Sequence, residues 1–117
     1  MKKTQHIFEM TESGGVQQVI ARDSSDAKQV SLIRQHLHHE TTRFMAGDFS
    51  DPTLMHGSDM PGVTELSQNS DQIKIEDSDL LNGGQISVLT GDLHLITAIH
   101  RWFGAQLSDH GADATCR

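Results

Sequence analysis

Hydrophobic and polar residues alternate near the start of the chain, and this period of two predicts a β-hairpin. Residues 4–11 place Phe8 and Met10 on one side of an extended backbone. Residues 12–15 (Glu-Ser-Gly-Gly) supply turn chemistry. Residues 16–22 are then a second predicted strand, close enough in sequence to pair with the first.

The next segment changes to helical spacing. The hydrophobic positions of residues 26–45 recur every three or four residues, which predicts a long amphipathic helix. Polar residues 23–26 offer capping side chains at its start, and Gly47 suits its end. The apolar stripe of this helix consists of Val30, Ile33, Leu37 and Phe44.

The same order of elements returns in the second half of the chain. Residues 72–76 and 85–90 predict a second hairpin around a Gly-Gly turn. Residues 93–109 predict a last helix, with Thr90 or Asp92 as its cap. The apolar stripe of this helix consists of Ile96, Ile99, Phe103 and Leu107.

A long connection over residues 48–71 separates the two halves. Pro52 and Pro61 interrupt it, and residues 61–68 predict a short helix because proline suits a first helical turn. Connections of this length in compact domains are commonly functional or disordered.

Residues 14–23 and 83–92 share two glycines, a valine and an aspartate at the same spacing. This match predicts an internal duplication of residues 4–47 and 72–111 within one domain, 1–117. The order ββαββα predicts an α+β fold, a two-layer sandwich in which two helices cover an antiparallel sheet of about four strands. The other face of the sheet would be solvated or would pair with a second chain, giving a homodimer.

Composition narrows the range of partners. The 117 residues carry a formal net charge of −7 and no cluster of lysine and arginine, which argues against nucleic-acid binding. No stretch is long enough to insert across a membrane. Cys116 is the sole cysteine and lies in a predicted frayed tail, so an intrachain disulfide and a cysteine-rich zinc site are excluded.

The histidine content points to metal binding, haem binding or proton chemistry. The eight histidines are His6, His36, His38, His39, His56, His94, His100 and His110. Protonating all eight would take the formal charge from −7 to about +1, mostly near the ordinary histidine pKa of roughly 6.5. A pH-sensitive surface is therefore expected.

Within the first helix, His36 and Glu40 are the residues placed to act together. They lie four residues apart on one border of the apolar stripe, so the two can share an ion or the carboxylate can orient the imidazole. His38 falls on the opposite flank and His39 faces solvent. The alternative for His36 and Glu40 is a structural hydrogen bond between the two side chains at the edge of the hydrophobic core.

His56, His100 and His110 complete the candidate set. His100 borders the stripe of the last helix, and His110 lies on its apolar side if the helix persists. His56 neighbours Met55 and Met60 in the long connection, and thioethers suit copper. Each histidine also has a structural interpretation, as a core-edge residue, a helix end or a loop packed by methionines.

Haem is a less favoured interpretation of the same residues. Four phenylalanines and one tryptophan offer little for a haem pocket, and a Cys-x-x-Cys-His attachment motif is absent. The sequence also lacks His-Glu-x-x-His, a phosphate loop, a dinucleotide glycine pattern and a nucleophile elbow. An enzyme is therefore the third choice among function classes.

Several motifs together resemble a family of small bacterial proteins without an assigned function. They are TQHIF (4–8) with GGVQQV (14–19), IRQHL (33–37) with FMAGDFSDP (44–52), HGxxMPG (56–62) and HRWFGAQLSDHG (100–111). Members often have a cleaved export signal, so the resemblance implies a mature periplasmic or secreted form, with a cytoplasmic location as the alternative. Some such sequences are labelled aspartate carbamoyltransferase, but residues 41–44 match that enzyme's carbamoyl-phosphate loop only superficially and are predicted mid-helix.

The leading hypothesis from the sequence is a non-catalytic protein of the bacterial envelope that binds a transition-metal ion, copper or zinc. The predicted ligands are His36, Glu40, His56, His100 and His110. His36 and His100 would reach the ion from two helices over the same sheet face. The alternative is a structural or interaction module that dimerises through its sheet and needs no metal.

Overall fold

The computed structural model describes residues 4–49, 61–111 and 114–116. Its elements are β1 (Thr4–Thr11), β2 (Gly14–Ala21), α1 (Ala27–Met45), α2 (Val63–Gln68), a 3₁₀ turn (Ser70–Gln72), β3 (Lys74–Leu80), β4 (Gly83–Leu89), α3 (Leu93–His110) and β5 (Ala114–Cys116). The fold is α+β, as the sequence predicts. In the described ranges, no helix is long and apolar enough to cross a membrane.

The sheet has five strands in the order β3-β4-β2-β1-β5. Three neighbouring pairs are antiparallel, but β5 runs parallel to β1, so the sheet is mixed. The prediction of about four antiparallel strands missed β5, because a three-residue strand that pairs with the other end of the chain leaves no local pattern. The tail around Cys116 is consequently an edge strand and not frayed, and this side chain is exposed.

One face of the sheet carries the core. Inward positions of the strands bury Phe8, Val19, Ile86 and Val88, which alternate with half-exposed neighbours as the period of two requires. Helix α1 buries its predicted stripe against these residues, and α3 does so at Ile99 and Phe103, whereas the predicted Ile96 and Leu107 are only half-buried. The largest fully buried side chains from α3 are Trp102, Phe103 and Ile99.

Aspartate side chains start both long helices. Asp26 Oδ1 accepts a hydrogen bond from the backbone N–H of Gln29 at the start of α1. Asp92 Oδ1 accepts from the backbone N–H groups of His94 and Leu95, at 2.8 and 3.2 Å, at the start of α3. These contacts satisfy N–H groups that have no partner within a helix. The sequence predicted this chemistry at both sites.

Two glycines let the helices approach the central strands closely. A Cβ on Gly15 would lie 2.4 Å from Cε2 of Phe103, and a Cβ on Gly84 would lie 2.9 Å from Cδ1 of Leu37. Both neighbours are buried core side chains, so a side chain at either glycine would displace core atoms. The absent side chains at these positions therefore set the distance between sheet and helices.

The pairing of β2 with β4 is symmetric between the two halves of the chain. Gly15 pairs with Val88 and Gly84 with Val19, the exchange expected if the halves are equivalent. Each long helix lies mainly on the hairpin of the other half, α1 on β3 and β4 and α3 on β1 and β2. The space between the helices therefore lies over the junction of β2 and β4. The duplication itself stays a prediction.

Candidate ligand-binding cleft

A cleft of about 320 Å³ lies between α1 and α3, over β2 and β4. Its apolar lining comes from both helices and the sheet: Val19, Leu32, Ile33, Leu37, Phe44, Ile86 and Trp102. Its polar lining consists of Thr4, His6, Gln17, Gln29, His36, Glu40, Gln106 and His110. Apolar walls combined with convergent polar groups are typical of small-molecule sites, and the share of polar residues is high in this cleft.

The wall from α1 contains the pair predicted from the sequence. His36 Nε2 lies 4.0 Å from Glu40 Oε1, and the Glu40 side chain is 6% exposed. Arg43 Nη1 donates to the same oxygen at 3.3 Å, and its Nε and Nη2 also donate to Asp48. A buried carboxylate is tolerated where a cation compensates it, so Arg43 explains how Glu40 can be placed here.

The opposite end of the cleft contains two stacked histidines. The rings of His6, from β1, and His110, from the last residue of α3, are 3.9 Å apart at an angle of 20°. Gln17 Nε2 lies 3.3 Å from His6 Nδ1, and a hydrogen bond donated by this amide fits the tautomer with its proton on Nε2. His110, a predicted metal ligand, thus lines the cleft, and His6 is an addition that the sequence did not single out.

The wall from α3 presents two buried N–H donors. Trp102 is 2% exposed and Gln106 is 5% exposed, and they lie four residues apart on the helix. Within the described residues, neither Trp102 Nε1 nor Gln106 Nε2 has a hydrogen-bond partner. Buried polar groups in native proteins are nearly always paired, and an unpaired one costs about 1–3 kcal/mol. Both residues also line the cleft, so these two donors are the candidates there for pairing with a bound molecule.

His100 lies outside this cleft, contrary to the predicted ligand set. Its Nε2–H donates to the backbone carbonyls of Thr11 and Gly14, each at 2.9 Å, and so ties α3 to the β1–β2 turn. The predicted position at the edge of the apolar stripe is right. The alternative interpretation as a satisfied core-edge residue describes it better than ligation does.

The other histidines do not extend the site. His56 lies outside the described residues. His38 Nδ1 lies 3.1 Å from Asp77 Oδ2 on the surface, and His39 and His94 are exposed. Among residues 4–49, 61–111 and 114–116, no group of three or more His, Cys, Asp or Glu residues is arranged to hold a metal ion.

Sequence reasoning missed Trp102 and the three glutamines of the cleft, although a signal was present for Gln17 and Gln106. Gln17 occupies an inward position of β2 between Gly15 and Val19, where the period of two predicts an apolar side chain. Gln106 occupies the equivalent phase on α3, one turn after Trp102. A polar residue in the buried phase of an amphipathic element marks a group that needs a partner.

No family model, curated protein or solved structure matches the chain. The interpretation of the cleft therefore depends on its geometry and chemistry.

Proposed function

We propose that the protein binds a small organic molecule non-covalently in the cleft between α1 and α3, without catalysing a reaction. The observation that carries the proposal is the pair of unpartnered donors, Trp102 Nε1 and Gln106 Nε2, in the wall of this cleft. The volume of about 320 Å³ is at the lower end of the range for ligand sites. It suits a molecule of one or two rings.

The chemistry of the lining favours binding over catalysis. The described lining contains no serine, cysteine or lysine that could act as a nucleophile. Glu40, its one carboxylate, lies against Arg43, and a compensated carboxylate is a weak general base. The histidines remain as polar groups that can orient a ligand.

Calorimetric titration with 2-naphthamide tests the proposal. Leu32 lines the cleft and is 49% exposed, so Leu32→Trp places an indole at its mouth. We expect this variant to weaken binding at least tenfold, while Leu81→Trp, at a position 95% exposed outside the cleft lining, leaves binding unchanged. Equal affinities of the two variants would place binding elsewhere.

A transition-metal ion, copper or zinc, is a second proposal, and one observation favours it. Three of the five predicted ligands, His36, Glu40 and His110, line the same cleft, together with His6, although no three of these described residues are arranged around a common ion position. Zinc titration of His36→Ala and His100→Ala separates the roles of these residues. Metal binding in the cleft predicts that His36→Ala loses most of its zinc affinity and that His100→Ala loses none. Equal losses of zinc affinity in the two variants would contradict metal binding in the cleft.

A further inference from the structure

The cleft has donors that lack acceptors. Trp102 and Gln106 lie at positions i and i+4 of α3, so their side chains are neighbours on one face. Both side chains are more than nine-tenths buried, and within the described ranges their N–H groups at Nε1 and Nε2 have no partner. A ligand that satisfies this wall must present a hydrogen-bond acceptor to it.

The charges around the cleft decide which kind of acceptor fits. Glu40 is the one carboxylate of the lining, and neither lysine nor arginine is part of the described lining. Arg43, the cation next to Glu40, donates to Glu40 and Asp48 and is not a lining residue. The whole chain also carries a net charge of −7 with neutral histidines. At a pH above the ordinary histidine pKa, these charges disfavour an anionic ligand.

The apolar side chains of the lining determine which kind of apolar group the ligand carries. Ile33, Leu37 and Ile86 are buried and apolar, and they line the cleft with the ring of Trp102. These apolar side chains favour an apolar ligand, and the ring of Trp102 favours a ring system, since aromatic contacts add to the burial of apolar area.

We infer that the natural ligand is an uncharged ring compound with a carbonyl oxygen, such as a carboxamide, lactam or ring ketone. Its oxygen accepts from Gln106 Nε2 and Trp102 Nε1, and its ring lies against the apolar lining. This inference rests on the proposed function, because it assigns the polar head of the molecule that the cleft binds.

Three compounds with the same ring system test the head group: 2-naphthamide, 2-naphthoate and 2-naphthylmethylamine. Calorimetry at mildly alkaline pH, where histidines are largely neutral, gives a Kd for each. We expect the amide to bind about tenfold more tightly than the carboxylate, which the charges around the cleft disfavour, and than the protonated amine, which offers no acceptor.

Gln106→Leu removes the side-chain N–H donor and keeps a side chain of similar volume. It should reduce the preference for the amide over the amine, because only the Trp102 donor remains, while Gln35→Leu, at an exposed position of α1, should keep that preference. A structural role for Gln106 would change all three affinities alike and leave the preference intact, which would contradict the inference.

The outcomes separate this inference from the proposed function. Tighter binding of the carboxylate, or equal binding of all three compounds, overturns the assigned head group while the cleft remains a binding site. Failure of all three compounds to bind the wild-type protein overturns both statements.

Discussion

Gln106 is the residue at which stability and binding are expected to conflict. Its buried Nε2 has no partner among the described residues, so the folded protein carries the desolvation cost of that group. Replacing it by leucine removes the cost at similar volume. We predict that Gln106→Leu raises the free energy of unfolding by about 1 kcal/mol, measured by urea denaturation without ligand.

Gln35→Leu is the control for this prediction, because Gln35 is exposed on α1 and its change should stay within about 0.5 kcal/mol. A lower stability of Gln106→Leu would mean that the Gln106 amide already has a partner in the folded chain. Gln106 Nε2 would then not be available to donate to a ligand in the cleft.

His100 is expected to contribute to stability and not to binding. Its Nε2–H is shared between two backbone carbonyls at the β1–β2 turn, so His100→Ala should cost about 1–2 kcal/mol of unfolding free energy. His94→Ala, exposed on the same helix, should change little. Thermal denaturation and 2-naphthamide titration of both variants check this assignment, and a loss of affinity in His100→Ala would contradict it.

At the scale of elements, the packing of α3 on β2 depends on a missing side chain. A Cβ at Gly15 would meet the ring of Phe103, which is 1% exposed and cannot move without disturbing the core. We predict that Gly15→Ala destabilises the protein by about 1–3 kcal/mol, the usual cost of overpacking. Chemical denaturation measures this loss.

Gly91→Ala is the matched control, because a Cβ at Gly91 has no atom within 4 Å. The double variant Gly15→Ala with Phe103→Leu should lose less stability than the two single changes added together, since the smaller side chain relieves the contact. Additive losses would show that the contact between residue 15 and residue 103 does not set the packing distance.

Local patterns explain why most of the elements could be predicted. The predicted bounds of the first strand, residues 4–11, and the predicted start of α3 at Leu93 agree with the structure. Hydrophobic period and helix capping depend on residues that are close in sequence, so both can be recognised locally. The cleft was only partly predictable. His36 and Glu40 are local neighbours on one helix, whereas the stack of His6 on His110 joins distant parts of the chain.

At the scale of the whole molecule, the cleft is built by one chain, so the proposed binding needs no partner. The face of the sheet that points away from α1 and α3 carries Ile7, Val16, Ile20 and Leu89, all half-buried, beside a hydrogen bond between Gln18 and Gln85. The homodimer predicted from the sequence would use this face. Sedimentation velocity over a wide concentration range tests it, and Val16→Lys should dissociate any dimer formed there while 2-naphthamide still binds.

The indole signal of Trp102 tests the central claim most directly. The chain has one tryptophan, so a ¹H–¹⁵N correlation spectrum contains one indole N–H signal, and this group lies in the donor wall of the cleft. On titration with 2-naphthamide, we expect a saturable shift of this signal together with the side-chain amide of Gln106. In Leu32→Trp, whose added indole gives a second signal, the Trp102 signal should need at least tenfold more ligand for the same shift. Binding that leaves both signals unmoved, or moves only signals from the far face of the sheet, would contradict the account.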